Sequence, residues 1–456
     1  MITRKKQELI AKIDEMIAAS KEDLAEATKK LVNIKSVKGE ALPGAPFGKG
    51  PKQVLDAVLD MGQKEGFYTV DHQVGVVCIA LKEGQPDLGI WTHGDVVPEG
   101  DGWNYEPYDA VEYKGCIIGR GATDNKGQLA AMFHLFKIFK TLDIHLNYNP
   151  AIYVGSNEES GMKDMIGIPG NPDARGFLHV CTPPRLSLVP DSGFPVGYGG
   201  NGSLKLLLKS KVPLHGFVLT AGQDDSPAGA EADFGDFKVI TKSTPSHGAR
   251  PDLKGNMITM IAQRLLDQNL VDELDRGILE FLRDVSLDTA GSMFGIDVKK
   301  LAESKPLTVS AKKINTVDGY VEFLLDIRYP VTITSEIIME QIAKVCEEGG
   351  FVINEKISDI KPYLLDSGSE IIKILTEIAN DVTGDDAVPY TLRGATYAHC
   401  LPNAYVYGTD GNLPPEDFSA GRGKAHGVDE AVSLDRLQRA MKIYARALLT
   451  LNEMNW

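Results

Sequence analysis

Three short apolar runs, Leu88–Trp91, Ala151–Gly155 and Leu186–Val189, are each followed within four residues by side chains that bind metal ions. His93 and Asp95 follow the first, Glu158 and Glu159 the second, and Asp191 the third. Short apolar runs bounded by turn signals read as buried strands. In an open α/β sheet, sites gather at the carboxyl ends of the strands. Residues two apart on a strand face the same way, so Asp95 can stand behind His93 and orient its imidazole. Asp124 lies in a glycine-rich loop, Gly119-Arg120-Gly121-Ala122-Thr123-Asp124, and His426 lies late in the chain, in GRGKAHGVDE.

The surrounding pattern alternates. Residues 4–33 are periodic as a helix, with Ser20 and Asp23 as a capping pair. Lys52–Glu65 and Lys126–Thr141 also read as helices, and Val74–Leu81 as a strand. Such alternation predicts an α/β fold with a mixed, mostly parallel sheet flanked by helices. After about Pro195 the texture changes. Ser203–Lys209, Phe237–Lys242 and Val321–Tyr329 read as strands, Asn256–Asp267 and Glu336–Glu348 as helices. The first texture returns after residue 366, with a helix near Glu370–Val382, a strand at Ala404–Tyr407 and a helix at Leu434–Leu451. The expected organisation is a catalytic domain, 1–195 and 366–456, interrupted by an inserted α+β lid domain, 196–365.

Composition removes several function classes. A net charge of −15 argues against a nucleic-acid partner, because phosphate contacts need clustered Lys and Arg. No apolar run reaches the roughly 20 residues of a membrane helix, and the opening MITRKKQELIAKIDEM has no apolar core of a secretory signal. Five scattered cysteines without CxxC spacing fit reduced thiols, so the expected location is the cytoplasm. The letters GYGGNG at 197–202 match GxGxxG. A strand rather than a helix is expected after them, which a dinucleotide fingerprint does not allow.

Mixed His and carboxylate donors suit Zn²⁺, Mn²⁺ or Co²⁺. His93, Asp124, Glu159, Asp191 and His426 are more donors than one tetrahedral ion uses. If one carboxylate bridges, they form two sites of three. A bridged pair of ions lowers the pKa of a shared water, and Glu158, beside a ligand, is free to take its proton.

HGDVVP at 93–98, GRGATDNKG at 119–127, EES at 158–160, PDSGFP at 190–195, SHGARP at 246–251 and His426 together resemble the aminoacylase/carboxypeptidase-type dinuclear metallopeptidases. KEDLAEATKKLVNIKSV and GAPFGKGPKQVLDAVLDMG resemble the bacterial Xaa-His (carnosinase-like) branch, including its manganese-dependent dipeptidases. The resemblance implies two divalent ions, Zn²⁺ or Mn²⁺. It implies His93 and Asp191 on one ion, Glu159 and His426 on the other, and Asp124 as the bridge. Asp95 would orient His93, and Glu158 would be the general base toward a bridging water. His247 would help hold the oxyanion, Arg328 would grip the substrate carboxylate, and the Gly394–Tyr397 loop would close on it. The implied substrate is a small peptide and the implied assembly a monomer or homodimer. N-acyl-amino-acid deacylation or desuccinylation is the alternative, and a weakly catalytic metal-bearing binding protein a further one. One departure stands out: Ala221–Ala228 lacks the Asn that relatives carry there.

Overall fold

The strand Leu88–His93 is buried along its whole length in the computed structural model of the chain, because parallel neighbours flank it on both sides. The structure describes residues 4–168, 174–223, 226–242, 256–296, 298, 303–409, 414–454 and 456. The chain divides into two units, one of Met1–Tyr198, Leu365–Tyr390 and Thr396–Trp456, the other of Gly199–Leu364 and Thr391–Ala395.

At the centre of the first unit, four parallel strands run in the order Pro150–Gly155, Leu88–His93, Leu186–Val189, Ala404–Val406. Strands buried on both faces need near-continuous apolar sequence, and IWT, AIYV and LSLV supply it. Val76–Ala80 and Tyr68–Asp71 extend the sheet antiparallel, so the sheet is mixed. Trp91 stacks on Tyr153 at 4.2 Å, with Phe177 edge-on to both. Such ring pairs add about 0.5–1.5 kcal/mol each beyond their buried area. This aromatic block fixes the two strands that carry His93 and the Glu158 turn.

The helix Gly127–Thr141 is buried on nearly every side, and Leu434–Leu451 begins where Ser433 caps the N–H of Arg436. The expected helix over 4–33 is two helices, Arg4–Ala19 and Lys21–Val32. Ser20 makes no side-chain cap there. Its hydroxyl donates back to the carbonyl of Ile17 at 2.9 Å, closing the first helix instead of opening the second. Among the described residues, no helix is long and apolar enough to cross a membrane.

The second unit is a seven-stranded antiparallel sheet, in the order Lys238–Lys242, Ser226–Asp233, Val218–Gln223, Thr308–Val317, Tyr320–Tyr329, Gly202–Pro213, Phe351–Ile360. Alternate residues Leu204, Leu206, Leu208 and Val321, Phe323, Leu325 share one core with Ile258, Leu265, Leu279, Leu282 and Ile342 of the helices. One sheet face is therefore covered by helices, as period-two burial requires. The letters at 197–202 run into the strand Gly202–Pro213, so no helix N-terminus stands ready for a dinucleotide. Gln223 pairs with Ser226 across the hairpin end. Residues 224–225, at the centre of the segment without its Asn, lie outside the described residues.

Candidate metal centre

Parallel register brings the strand ends level, with His93 opposite Gly155 and Ile90 opposite Leu188. The residues that follow each strand therefore emerge at one edge. Two groups of donors form there, His93–Asp124–Asp191 and Asp124–Glu159–His426, each with its donor atoms within 4.8 Å of one another. Asp124 belongs to both. Its Oδ1 lies 3.0 Å from Nε2 of His93 and its Oδ2 3.1 Å from Nε2 of His426. Glu159 Oε1 lies 2.9 Å from the same His426 nitrogen.

His93 Nδ1 lies 3.0 Å from the main-chain oxygen of Asp95. A carbonyl only accepts, so Nδ1 carries a hydrogen, which leaves Nε2 as the nitrogen that faces the site and would ligate an ion once it gives up its own proton. The Asp95 carboxylate stands 3.6 Å from Nδ1. Its two oxygens accept the N–H groups of Glu158 and Glu159, both at 3.1 Å. The orienting contact on His93 is thus shorter from the main chain than from the carboxylate, which also sets the turn that carries Glu158 and Glu159.

His426 has φ +60°. A side chain in this left-handed region costs about 1–2 kcal/mol, and such residues cluster where geometry serves function. Nearby, Asp429 is pinned by the N–H of Asn104 at 2.8 Å and by Arg422 at 2.8 Å.

The electrostatics fit cations. Four carboxyl groups (Asp124, Glu158, Glu159 and Asp191) face two imidazoles. Burial opposes charge on His93, but Asp124 and Asp95 outweigh it and push its pKa well above the usual value. Burial likewise opposes charge on His426, yet Glu159 and Asp124 raise it to about 12. Burial also opposes charge on Asp124, but His426 and His93 hold its carboxyl below the usual range. Burial and Asp191 push Glu158 well up, and burial and Asp124 push Asp191 up to about 8. Oε1 of Glu158 is buried with no hydrogen-bond partner among the described residues. Acceptor oxygens outnumber positive charges, and two divalent cations would correct that imbalance on oxygen and nitrogen donors of the right kind.

Sequence reasoning passed over three supporting residues. Asn125, fully buried, donates to the carbonyl of Pro190 at 2.9 Å and to Asp191 Oδ1 at 3.2 Å. Glu430 accepts the N–H groups of Thr123 and Asp124. Asp164 Oδ2 accepts from Ser156 N–H at 2.8 Å, Asn157 N–H at 3.1 Å and the Tyr397 hydroxyl at 2.5 Å. Asp164 and Asp95 between them hold four successive amides, 156 to 159. A Cβ on Gly155 would lie 1.8 Å from the Tyr397 hydroxyl, so this turn admits only glycine at its start.

Burial, reinforced by Asp95, pushes the Asp164 carboxyl up to about 7 from an ordinary 3.8, against the pull of its hydrogen bonds. Between these values the folded chain keeps a proton that the unfolded chain has lost. Stability therefore falls as pH rises from about 4 to about 7, by an amount on the order of a few kcal/mol. Asp164→Asn cannot titrate and keeps an acceptor oxygen. In metal-free protein, the stability of the parent minus that of the variant is expected to decline across this interval in urea titrations. A flat difference would mean that Asp164 is ionised throughout.

Arg328 belongs to the second unit, where its Nη2 donates to Asp326 Oδ2 at 3.1 Å on the same strand. His247 lies outside the described residues. A third donor group in the second unit, His215, Asp272 and Asp275, is engaged with the main chain: Asp272 caps the helix Glu273–Leu287, and Asp275 accepts the His215 N–H.

The pattern of peptidase family M20/M25/M40 matches residues 89–450. A Bacillus subtilis (strain 168) protein named "Putative dipeptidase YtjP" is 28% identical over 477 aligned residues, spanning 95% of this chain and 98% of its own length. A Staphylococcus aureus (strain USA300) protein named in the same way is 26% identical, over 93% of this chain and 96% of its own. Among solved structures, human carnosine dipeptidase 1 superposes with a TM-score of 0.64 at 16% identity, over 98% of this chain and 100% of its own. The dipeptidase Dug1p of Saccharomyces cerevisiae gives 0.64 at 16% identity, over 98% and 99%. At such identity these two structures show a common fold.

Proposed function

From the premise that the chain belongs to peptidase family M20/M25/M40, we propose that it hydrolyses the amide bond of dipeptides with the help of two divalent ions. The observation that carries the reading is one shared carboxylate, Asp124, between two donor groups, with the uncommitted Oε1 of Glu158 beside them. His93 and Asp191 complete one site, and Glu159 and His426 the other. Zn²⁺ and Mn²⁺ both suit these donors. When bound, the ions supply the Lewis acidity that makes water acidic and the carbonyl carbon electrophilic.

The rest is the work of this chain. Asp95 holds the amides of Glu158 and Glu159, so the Glu158 carboxylate is placed by two main-chain bonds. Glu158 takes a proton from the attacking water as the new C–O bond forms. It returns that proton to the amide nitrogen as the C–N bond breaks. The products are a carboxylic acid and an amine, and Glu158 is restored. The dipeptide as substrate rests on the full-length relatives named as dipeptidases. The five free cysteines suit a reducing cytosol.

A panel of dipeptides and of N-acetyl- and N-succinyl-amino acids tests the substrate. Protein reconstituted with Zn²⁺ or Mn²⁺ should cleave unblocked dipeptides at least about tenfold faster than the acylated compounds, the scale set by a lost polar contact to the amino end. Faster turnover of the acylated set would move the function to deacylation. Tight dipeptide binding without products would make this a binding protein.

A further inference from the structure

Arg120 and Glu430 form an ion pair that is buried on both sides, with 1% of each side chain exposed and Nη1 2.5 Å from Oε2. Nothing in the proposed hydrolysis uses either residue. A buried pair costs desolvation on both partners, so what else the pair touches is informative. Glu430 Oε1 accepts the N–H of Thr123 and the N–H of Asp124, both at 3.0 Å. The Glu430 carbonyl accepts the Gly119 N–H at 2.8 Å. Arg120 Nη2 donates to the carbonyl of Glu99 at 3.2 Å, and its guanidinium lies 5.2 Å from the centroid of the Trp103 ring. Glu430 also follows His426 by four residues on one loop. One carboxylate therefore grips the main chain of the shared donor, Asp124, and anchors the loop that presents His426.

We propose that Glu430, held by Arg120, is a positioning residue that sets Asp124 to serve both ions at once; this rests on the dinuclear reading above. Arg120 turns the carboxylate so that Oε1 meets both amides. The amides in turn fix where the Asp124 side chain leaves the turn. Because Asp124 is common to both groups, disturbing Glu430 weakens both sites together.

The test is metal binding, read by competition with a chromophoric chelator and by the visible spectrum of the Co²⁺-loaded protein. Glu430→Gln removes the charge and should raise both dissociation constants together, by about 10–100-fold, the scale found for groups that orient ligands. Glu430→Gln leaves Arg120 buried and unpaired, so Arg120→Gln/Glu430→Gln serves as the second variant, with no charge left to bury. Circular dichroism of each metal-free variant reports whether the fold is kept. Paired loss of affinity in the folded double variant, with an altered Co²⁺ spectrum, supports the proposal. Two ions bound as tightly as in the parent overturn it and leave the dinuclear reading standing. A parent protein that binds fewer than two ions overturns the dinuclear reading itself, and this proposal with it.

Discussion

Glu158→Ala is expected to lower kcat by about 10³-fold, within the 10²–10⁴ range of general acid–base catalysis, while both ions stay bound. The selectivity follows from how the residue is held. Asp95 grips the Glu158 main-chain N–H, not its side chain, so the variant keeps the turn that presents Glu159. Among the described residues, one oxygen of the side chain itself has no hydrogen-bond partner. Removing it breaks no described hydrogen bond of that oxygen. It also removes a buried acid from beside Asp191, whose charge is a main cause of the raised Glu158 pKa. Metal affinity should be unchanged or slightly tighter, and KM should change little. Bound metal and single-turnover cleavage would be measured on the same sample. Turnover above a tenth of the parent value would remove Glu158 from the proton transfer.

What the sequence revealed and what it concealed divide along physical lines. The strand Leu186–Val189 and the helix Leu434–Leu451 were legible to their ends, because continuous burial and a 3.6-residue period leave clear marks. The apolar run before His93 ends at Trp91, yet the strand runs through His93; the polar Thr92 and His93 are buried by the tertiary fold, which no local pattern records. Three-residue strands such as Val111–Tyr113 and Cys116–Ile118 are too short to have a period. Donor residues were legible because His and acids after apolar runs are chemically conspicuous. Their supports were not. Asp164 meets Tyr397 across 233 residues and Arg120 meets Glu430 across 310. A lone acid gives no sign of which distant amide it will hold. The one available clue was that Glu430 and His426 share a short loop with Asp429.

Asp124→Ala should abolish binding of both ions, whereas Asp191→Ala should weaken one far more than the other. The contrast follows from the shared geometry. Asp191 belongs to one donor group, but Asp124 belongs to both. In the Asp124 variant each site falls from three protein donors to two, fewer than zinc or manganese centres of this kind keep. The effect should exceed the roughly 10–100-fold loss seen when only an orienting group is changed. The fold should survive, because the turn is held through main-chain N–H groups that alanine retains. Elemental analysis after dialysis against buffered metal would return close to zero ions per chain for Asp124→Ala and about one for Asp191→Ala. The two imidazoles give an independent readout. Asp124 is one of the groups that raise both His93 and His426, so without it both should titrate nearer the ordinary histidine range in metal-free protein. One tightly held ion in Asp124→Ala would mean that this carboxylate serves a single site. The dinuclear mechanism would then need a different bridge.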